Sequence, residues 1–554
     1  MQQALTVPEL AFRMARHPQP LEIRLNQRSI LPLLIAFTLS LTVFSQQKTE
    51  PKPQEKTAAK SAPADAKKSA EAAAKPEEKK NEPPAAEEQP VVTHHSIHAG
   101  GKMLNYTATT GMMPIKNGEG EVEAHMFFMA YTLDSPHDPK RPLMISFNGG
   151  PGSSSVWLHL GLVGPKRIKM LPDGTMTPPP FELVDNEYTM LDQTDIVFVD
   201  PVGTGYSRAA KKELNKKFWG LKGDLDSVSE FIRMYLTRYE RWSSPLFLIG
   251  ESYGTMRASG LAGTLIDRGI AVNGIALIST VLDFNTIEFN RGSDAAYIYY
   301  LPTYAATAWY HKKIAPELQQ LPVKEVVRQA EEFAGGPYAA ALLKGDSLSE
   351  ADRKNIVAQL AKFTGLSPQY IENSDLRVEH VHFAKELLRD QGLTVGRLDS
   401  RFKGKDESNV GETFEYDPSY SNIQAPYTAM LNDYVRRELG YKTDTYYSIL
   451  GNVTGERWDW GSAGDGAPNT TEGLRKAFVR NSHMRVYIAK GYYDMATPLY
   501  AVNATFDHMA LPKEAKANIT DDYFEAGHMM YIEQNSLTKL RDDLRNFVNT
   551  SLKK

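Results

Sequence analysis

Cysteine is absent from all 554 residues. That excludes disulfide frameworks, thiolate zinc sites, thiol nucleophiles and a lipidated N-terminal Cys. It leaves the compartment open, because a chain with a large core does without disulfides even outside the cell. An excess of charge is missing as well. The chain sets 63 Lys and Arg against 67 Asp and Glu, a net charge of −4, whereas nucleic-acid binders carry a basic excess or stripe. Nucleic acid is therefore not expected as a partner. What the chain does have is 42% hydrophobic and 23% charged residues, enough for a sizeable core. Its length alone suggests roughly three to four units.

Arg24 and Arg28 precede an apolar run from Ile30 to Phe44, followed by Ser45-Gln46-Gln47. The run falls short of the ~20 residues that span a bilayer and suits the apolar part of an export signal. Residues 1–45 are read as this signal region, with Met14 a second candidate start and an uncleaved anchor the alternative. Export to the periplasm or the cell exterior is expected, with no stable membrane span once the signal is removed. Residues 46–90 are rich in Ala, Lys, Glu and Pro and have no large apolar residue before Val91. Such a segment cannot bury enough surface to offset its ordering entropy, so a disordered linker is expected. There are no internal repeats.

Short apolar runs then alternate with amphipathic stretches. Val122–Leu133, Pro142–Phe147, Asp195–Val199, Pro245–Ile249, Ile275–Ile278 and Arg485–Ala489 read as strands. Asp224–Tyr239 carries Leu225, Val228, Ile232, Tyr235 and Leu236 at helical spacing. Continuous apolar strands separated by helices predict an α/β fold, a mostly parallel sheet covered on both faces. The stretch 284–480 holds helical patterns (Glu317–Phe333, Ala351–Phe363, Val378–Leu388) and few strand signals. It is read as a helical cap inserted between core parts 91–283 and 481–554.

Gly250-Glu251-Ser252-Tyr253-Gly254 directly follows an apolar run. Gly-x-Ser-x-Gly in that context describes a tight strand-to-helix turn that lifts a nucleophilic hydroxyl above the sheet. A hydroxyl needs a base, and the base needs an orienting group. Asp494 follows the strand Arg485–Ala489, and His528 lies in a later loop, giving the order Ser, Asp, His. Singly, such residues are more often a cap and a solvated loop histidine; in this order, at strand ends, they make a triad. Asn148-Gly149-Gly150-Pro151-Gly152-Ser153-Ser154-Ser155 follows another strand. Its backbone N–H groups, with that of Tyr253, suit a developing oxyanion. No Gly-Lys-Ser/Thr follows to make it a phosphate loop.

Together with Asp200-Pro-Val-Gly-Thr-Gly-Tyr-Ser207 and Gly527-His528-Met529, this set resembles the serine carboxypeptidase family, peptidase family S10, in a cysteine-free form of the bacterial type. The resemblance runs from about residue 95 to the C-terminus. It implies an α/β-hydrolase core with a helical cap and release of amino acids from peptide C-termini through an acyl-enzyme. It also implies roles: Ser252 as nucleophile, His528 as base then acid, Asp494 as its orienter, and the N–H groups of Gly150 and Tyr253 as oxyanion hole. Asn148, Gly149 and Glu251 bind the substrate carboxylate, and Met529 lines the leaving-group side. The chain departs from the family twice. Ser153 stands where eukaryotic members carry Cys. Leu162 stands fourteen residues after Asn148, where members usually carry a second Glu, with Glu182 a candidate to replace it.

A glutamic acid donates a hydrogen bond to a carboxylate only when protonated. Binding should weaken as pH rises, while His528 must be neutral to act as base. An acidic optimum is expected where binding dominates. Peptides with a free C-terminus are the expected substrates. An esterase or acyltransferase using the same triad is the alternative, and a silent binding protein a third reading. Trp458-Asp459-Trp460-Gly461 and Tyr297–Tyr304 are candidates for a pocket lining or for plain core. His94, His95 and His98 lack supporting ligand spacing, so neither metal nor cofactor is expected.

Overall fold

The computed structural model describes residues 88–134, 138–460 and 466–553. The expected signal region and all but the last three residues of the expected linker lie outside the described residues. Nine strands make the main sheet: β1 (Val91–Ala99), β2 (Lys102–Lys116), β3 (Val122–Leu133), β4 (Leu143–Phe147), β5 (Asp195–Val199), β6 (Leu246–Ser252), β7 (Gly274–Thr280), β8 (Arg485–Gly491) and β9 (Ile519–Phe524). Their order is β1-β2-β3-β5-β4-β6-β7-β8-β9, with the short strand Arg208–Ala209 added on β3. Pairs from β1 to β5 along this order are antiparallel, and the rest are parallel.

The parallel strands are buried on both faces because their side chains alternate between two cores. Met144, Phe198, Ile249, Ile278 and Ala489 point into one cluster. Ile145, Val197, Leu248, Leu277 and Ile488 point into the other. The second face is covered by α1 (Leu221–Arg238) and α2 (Tyr253–Asp267), with α1 burying Val228, Phe231, Ile232 and Tyr235. This doubly covered sheet with an antiparallel edge is the α/β-hydrolase fold. Strand order turns back at β4, which makes the crevice at the C-terminal ends of β4 and β6 the natural ligand site.

The six expected strands are present. The β1–β2 hairpin and β9 are additions that the periodicity did not reveal. His94, His95 and His98 lie on β1, the first strand of the described residues. The described residues group as a single compact unit.

Between β7 and β8 come α3 (Ala295–Tyr310), α4 (Val323–Phe333), α5 (Glu350–Thr364) and the short helix His380–Glu386. The pattern over Glu317–Phe333 is two helices, broken before Val323 by Pro322, whose ring removes a backbone donor. These helices enclose their own cluster, which includes Tyr300, Leu301, Tyr304, Val326, Leu360 and Phe383. Tyr300 and Tyr304 are thus core residues rather than pocket lining. Later segments join the main body. α6 (Pro418–Arg437) inserts Ile423, Tyr427 and Leu431 into the first core. α7 (Thr471–Arg480) meets α2 where Gly263 faces Gly473; a Cβ at 263 would lie 2.7 Å from the Gly473 Cα.

Candidate active site

Ser252 ends β6 with φ 59° and ψ −132°, and α2 begins at the next residue. A non-glycine residue there costs about 1–3 kcal/mol and persists only where its surroundings enforce it. The flanking glycines explain how. A Cβ on Gly250 would stand 2.2 Å from the Gly254 carbonyl oxygen, and one on Gly254 2.8 Å from that of Phe147. Only bare backbone lets the turn close against itself and against the end of β4.

His528 Nδ1 donates to Asp494 Oδ2 over 2.7 Å, and both side chains are buried. Asp494 is held on all sides: Oδ1 accepts from the N–H groups of Ala496 (2.8 Å) and Thr497 (3.0 Å), and Oδ2 also accepts from the Thr497 hydroxyl (2.7 Å). Burial alone would lower the His528 pKa, yet the charge and hydrogen bond of Asp494, with Glu251 adding to them, hold it above the ordinary value. Its loop is tied down next to Ser252. Thr280 pairs with Ser252 across a bulge at Ser279, whose hydroxyl donates to the His528 carbonyl over 2.6 Å. On the other side the His528 N–H donates to the Leu398 carbonyl over 2.6 Å. Thr497 and Ser279 carry no motif of their own, and sequence reasoning missed both. Thr497→Val frees Asp494 Oδ2 of one hydrogen bond and should cost about tenfold in kcat with KM little changed; steady-state kinetics checks the split.

The glycine-rich loop lies directly on the turn. A Cβ on Gly149 would be 2.4 Å from the Tyr253 nitrogen and 2.8 Å from the Gly254 nitrogen. Arg257, fully buried, donates to the Asn148 carbonyl over 2.5 Å and pairs with buried Asp224 at 2.9 Å. Asp224 also accepts from the Tyr253 hydroxyl over 3.3 Å. One ion pair thus fixes the start of the loop to the helix that follows Ser252. At the far end, Asp200 of the second motif accepts from the Ser155 N–H over 2.9 Å. Ser153 donates to the Ser154 carbonyl and accepts from the Trp157 indole over 2.8 Å, which ties this position down without sulfur. Trp458 sets its ring edge-on to that of Tyr253 at 5.4 Å. Among the described residues no group of three His, Asp or Glu is placed to hold a metal ion.

The model of the family described as serine carboxypeptidase matches residues 101–541. The chain belongs to the serine carboxypeptidase family. Among curated relatives, Serine carboxypeptidase-like 5 of Arabidopsis thaliana is 32% identical over 157 residues, 28% of this chain and 33% of the relative. Serine carboxypeptidase-like 8 of the same plant is 34% identical over 177 residues, 30% and 39% of the two chains. The chain thus spans about a third of the length of the curated relatives it matches. Solved structures with a similar trace include proline iminopeptidase of Mycobacterium smegmatis (13% identical, 80% of this chain and 98% of that one, TM-score 0.33) and an acetylester hydrolase of Corynebacterium glutamicum (14%, 81% and 96%, TM-score 0.32).

Glu251 is buried beside Ser252, and its Oε2 accepts from the Tyr531 hydroxyl. Leu162 turns into the main core. Glu182 does not replace the missing acid: it lies at the surface, paired with Lys169 over 2.8 Å, because the hairpin that carries it faces solvent. Met529 is buried in the same cluster as Met530 and Tyr531. Burial pushes the Glu251 carboxyl up to about 7, with His528 and the Tyr531 hydrogen bond opposing and Asp494 reinforcing the shift. Burial likewise lifts Asp200 to about 6 against the Ser155 N–H. Folding raises both values above those of the unfolded chain. Their contribution therefore favours the fold at acid pH and is withdrawn as pH climbs from the ordinary carboxyl range to about 7.

Proposed function

We propose that this chain is an exported serine carboxypeptidase that removes single amino acids from peptides with a free C-terminus. The observation that carries the reading is Glu251, a buried carboxyl next to the nucleophile in sequence and neutral below about pH 7. Such a group repels nothing and can donate to a substrate carboxylate. Asn148 and the Gly149 N–H complete the reader, and Met529 lines the leaving-group side. Ser252 Oγ attacks the last peptide carbonyl while His528 takes its proton and Asp494 orients the imidazole. The N–H groups of Gly150 and Tyr253 receive the oxyanion. His528 then protonates the departing amine, an acyl-enzyme remains on Ser252, and water activated by His528 releases it.

Helices α3 to α5 and the short helix His380–Glu386 act as a cap over this site, a narrower cap than the expected 284–480 because α6 and α7 pack into the main body. Supporting this, the Gly527 N–H donates to Asp399 over 3.1 Å and the Ser400 N–H to the Tyr493 carbonyl over 3.0 Å, joining the chain that follows this cap to both triad loops. Export to the periplasm or the exterior rests on the run Ile30–Phe44; among the described residues no helix is long and apolar enough to cross a membrane.

The test compares an N-blocked dipeptide acid with its C-terminal amide from about pH 4 to about pH 8. Glu251 must be protonated to bind, so KM for the acid should rise about tenfold per pH unit above about pH 7. His528 must be neutral, so kcat should fall at the acid end. Because Asp494 holds His528 above its ordinary value, the two requirements overlap around neutral pH, and the optimum moves to the acid side only as far as binding outweighs base strength. Equal turnover of acid and amide, or turnover of simple esters alone, would overturn the reading in favour of an esterase or acyltransferase, to which the loss of a second acid at Leu162 also points.

A further inference from the structure

Glu251 meets Tyr531 although 280 positions separate them, and the fold is shaped around the meeting. Gly161 lies in a π-helical turn, His159–Val163, against the Tyr531 ring. A Cβ there would come within 2.5 Å of Tyr531 Cε2 and 2.7 Å of the Tyr427 hydroxyl. No side chain larger than hydrogen leaves the phenol where it is. The turn that could have presented an acid at Leu162 instead sends that residue into the core and opens a slot for Tyr531. Asn148 lies close enough to favour the charged form of Glu251, yet its buried Nδ2 makes no well-aligned hydrogen bond. A donor is thus left for an incoming group.

We propose that Tyr531 is the positioning residue of the carboxylate reader and takes the place of a second acid. Its O–H occupies Oε2 of Glu251, so the proton of the neutral carboxyl sits on Oε1 and is donated to the substrate's terminal carboxylate. This rests on the carboxypeptidase reading. An acid partner would titrate in the same range as Glu251 and share its proton; a buried phenol does not, because burial lifts Tyr531 well above its ordinary value. The other groups facing Glu251 are His528, Asp494 and Tyr427. Recognition of the substrate should therefore be lost with one proton, not two.

Tyr531→Phe removes only the hydroxyl. Without it the charged form of Glu251 loses a donor, so the midpoint of the KM–pH curve for the dipeptide acid should move up by about one unit, while KM at acid pH rises because Oε1–H is no longer aimed. A ¹³C NMR titration of the Glu251 carboxyl, assigned through Glu251→Gln, should show the same upward shift with no substrate present. Gly161→Ala, which displaces the ring, should shift both readouts in the same direction and serves if the first variant fails to fold. Unmoved midpoints in an enzyme that still distinguishes acid from amide would overturn the role of Tyr531 and leave the carboxypeptidase reading intact. A wild-type enzyme that ignores the free carboxylate would overturn both.

Discussion

Ser252→Ala should lower kcat/KM by about 10⁶-fold, and adding His528→Ala should lower it hardly further, because the proposed nucleophile and base would act as a unit. The geometry supports so large an effect. The Ser252 backbone is held at φ 59° by two glycines that admit no Cβ, and that enforcement serves no packing purpose visible in the sheet. Asp494→Asn should cost about 10⁴-fold, since its Oδ2 is the acceptor that keeps His528 in the reactive tautomer. All three variants should melt within a few degrees of the wild type, as alanine keeps the turn and asparagine keeps most of the acceptors around Asp494. Covalent labelling by a fluorophosphonate, followed beside turnover, checks the assignment. Labelling that persists in Ser252→Ala would place the nucleophile elsewhere.

What could be read in advance divides along a physical line. The six strands found from sequence are those whose two faces are both buried, so that an unbroken apolar run records them. β1 and β9 are edge strands. β1 alternates His, Ser and Thr with a few apolar residues, and β9 carries Asp521 and Asp522, so the hydropathy signal is diluted. One local signal was there to use: Gly100-Gly101, both with positive φ, make the two-residue turn between β1 and β2. The residues around Ser252 were legible for a similar reason. Gly250 answers a backbone clash four positions away, at the Gly254 carbonyl, so that part of the motif is written locally; Gly254 answers the end of β4 instead. Tyr531, Ser279 and the Arg257–Asp224 pair are not local. Each acts through a contact set by strand register or by the path of a distant loop, and Tyr531 in particular depends on a π-helical turn that periodicity does not reveal. Counting fourteen positions from Asn148 found the missing acid, but only the fold shows what stands in its place.

Gly149→Ala should lower kcat by about 10²–10³-fold, the loss expected when one oxyanion donor is withdrawn. The new methyl group would stand 2.4 Å from the Tyr253 nitrogen, 2.8 Å from the Glu251 carbonyl oxygen and 2.8 Å from the Gly254 nitrogen. All three are backbone atoms of the turn, and none can swing aside as a flexible side chain would. The loop must therefore lift, and it carries the Gly150 N–H away from the developing oxyanion. Arg257 resists this by gripping the Asn148 carbonyl, so the strain falls on the glycines beyond it. Fluorophosphonate labelling passes through a similar tetrahedral arrangement at Ser252 and should slow by a comparable factor, while KM for the dipeptide acid should also rise if the Gly149 N–H serves the carboxylate as proposed. Gly118→Ala is the control, since a Cβ there meets nothing within 4 Å. Wild-type labelling and turnover in Gly149→Ala would mean that the loop tolerates displacement, and the oxyanion donors would have to be sought away from Gly150.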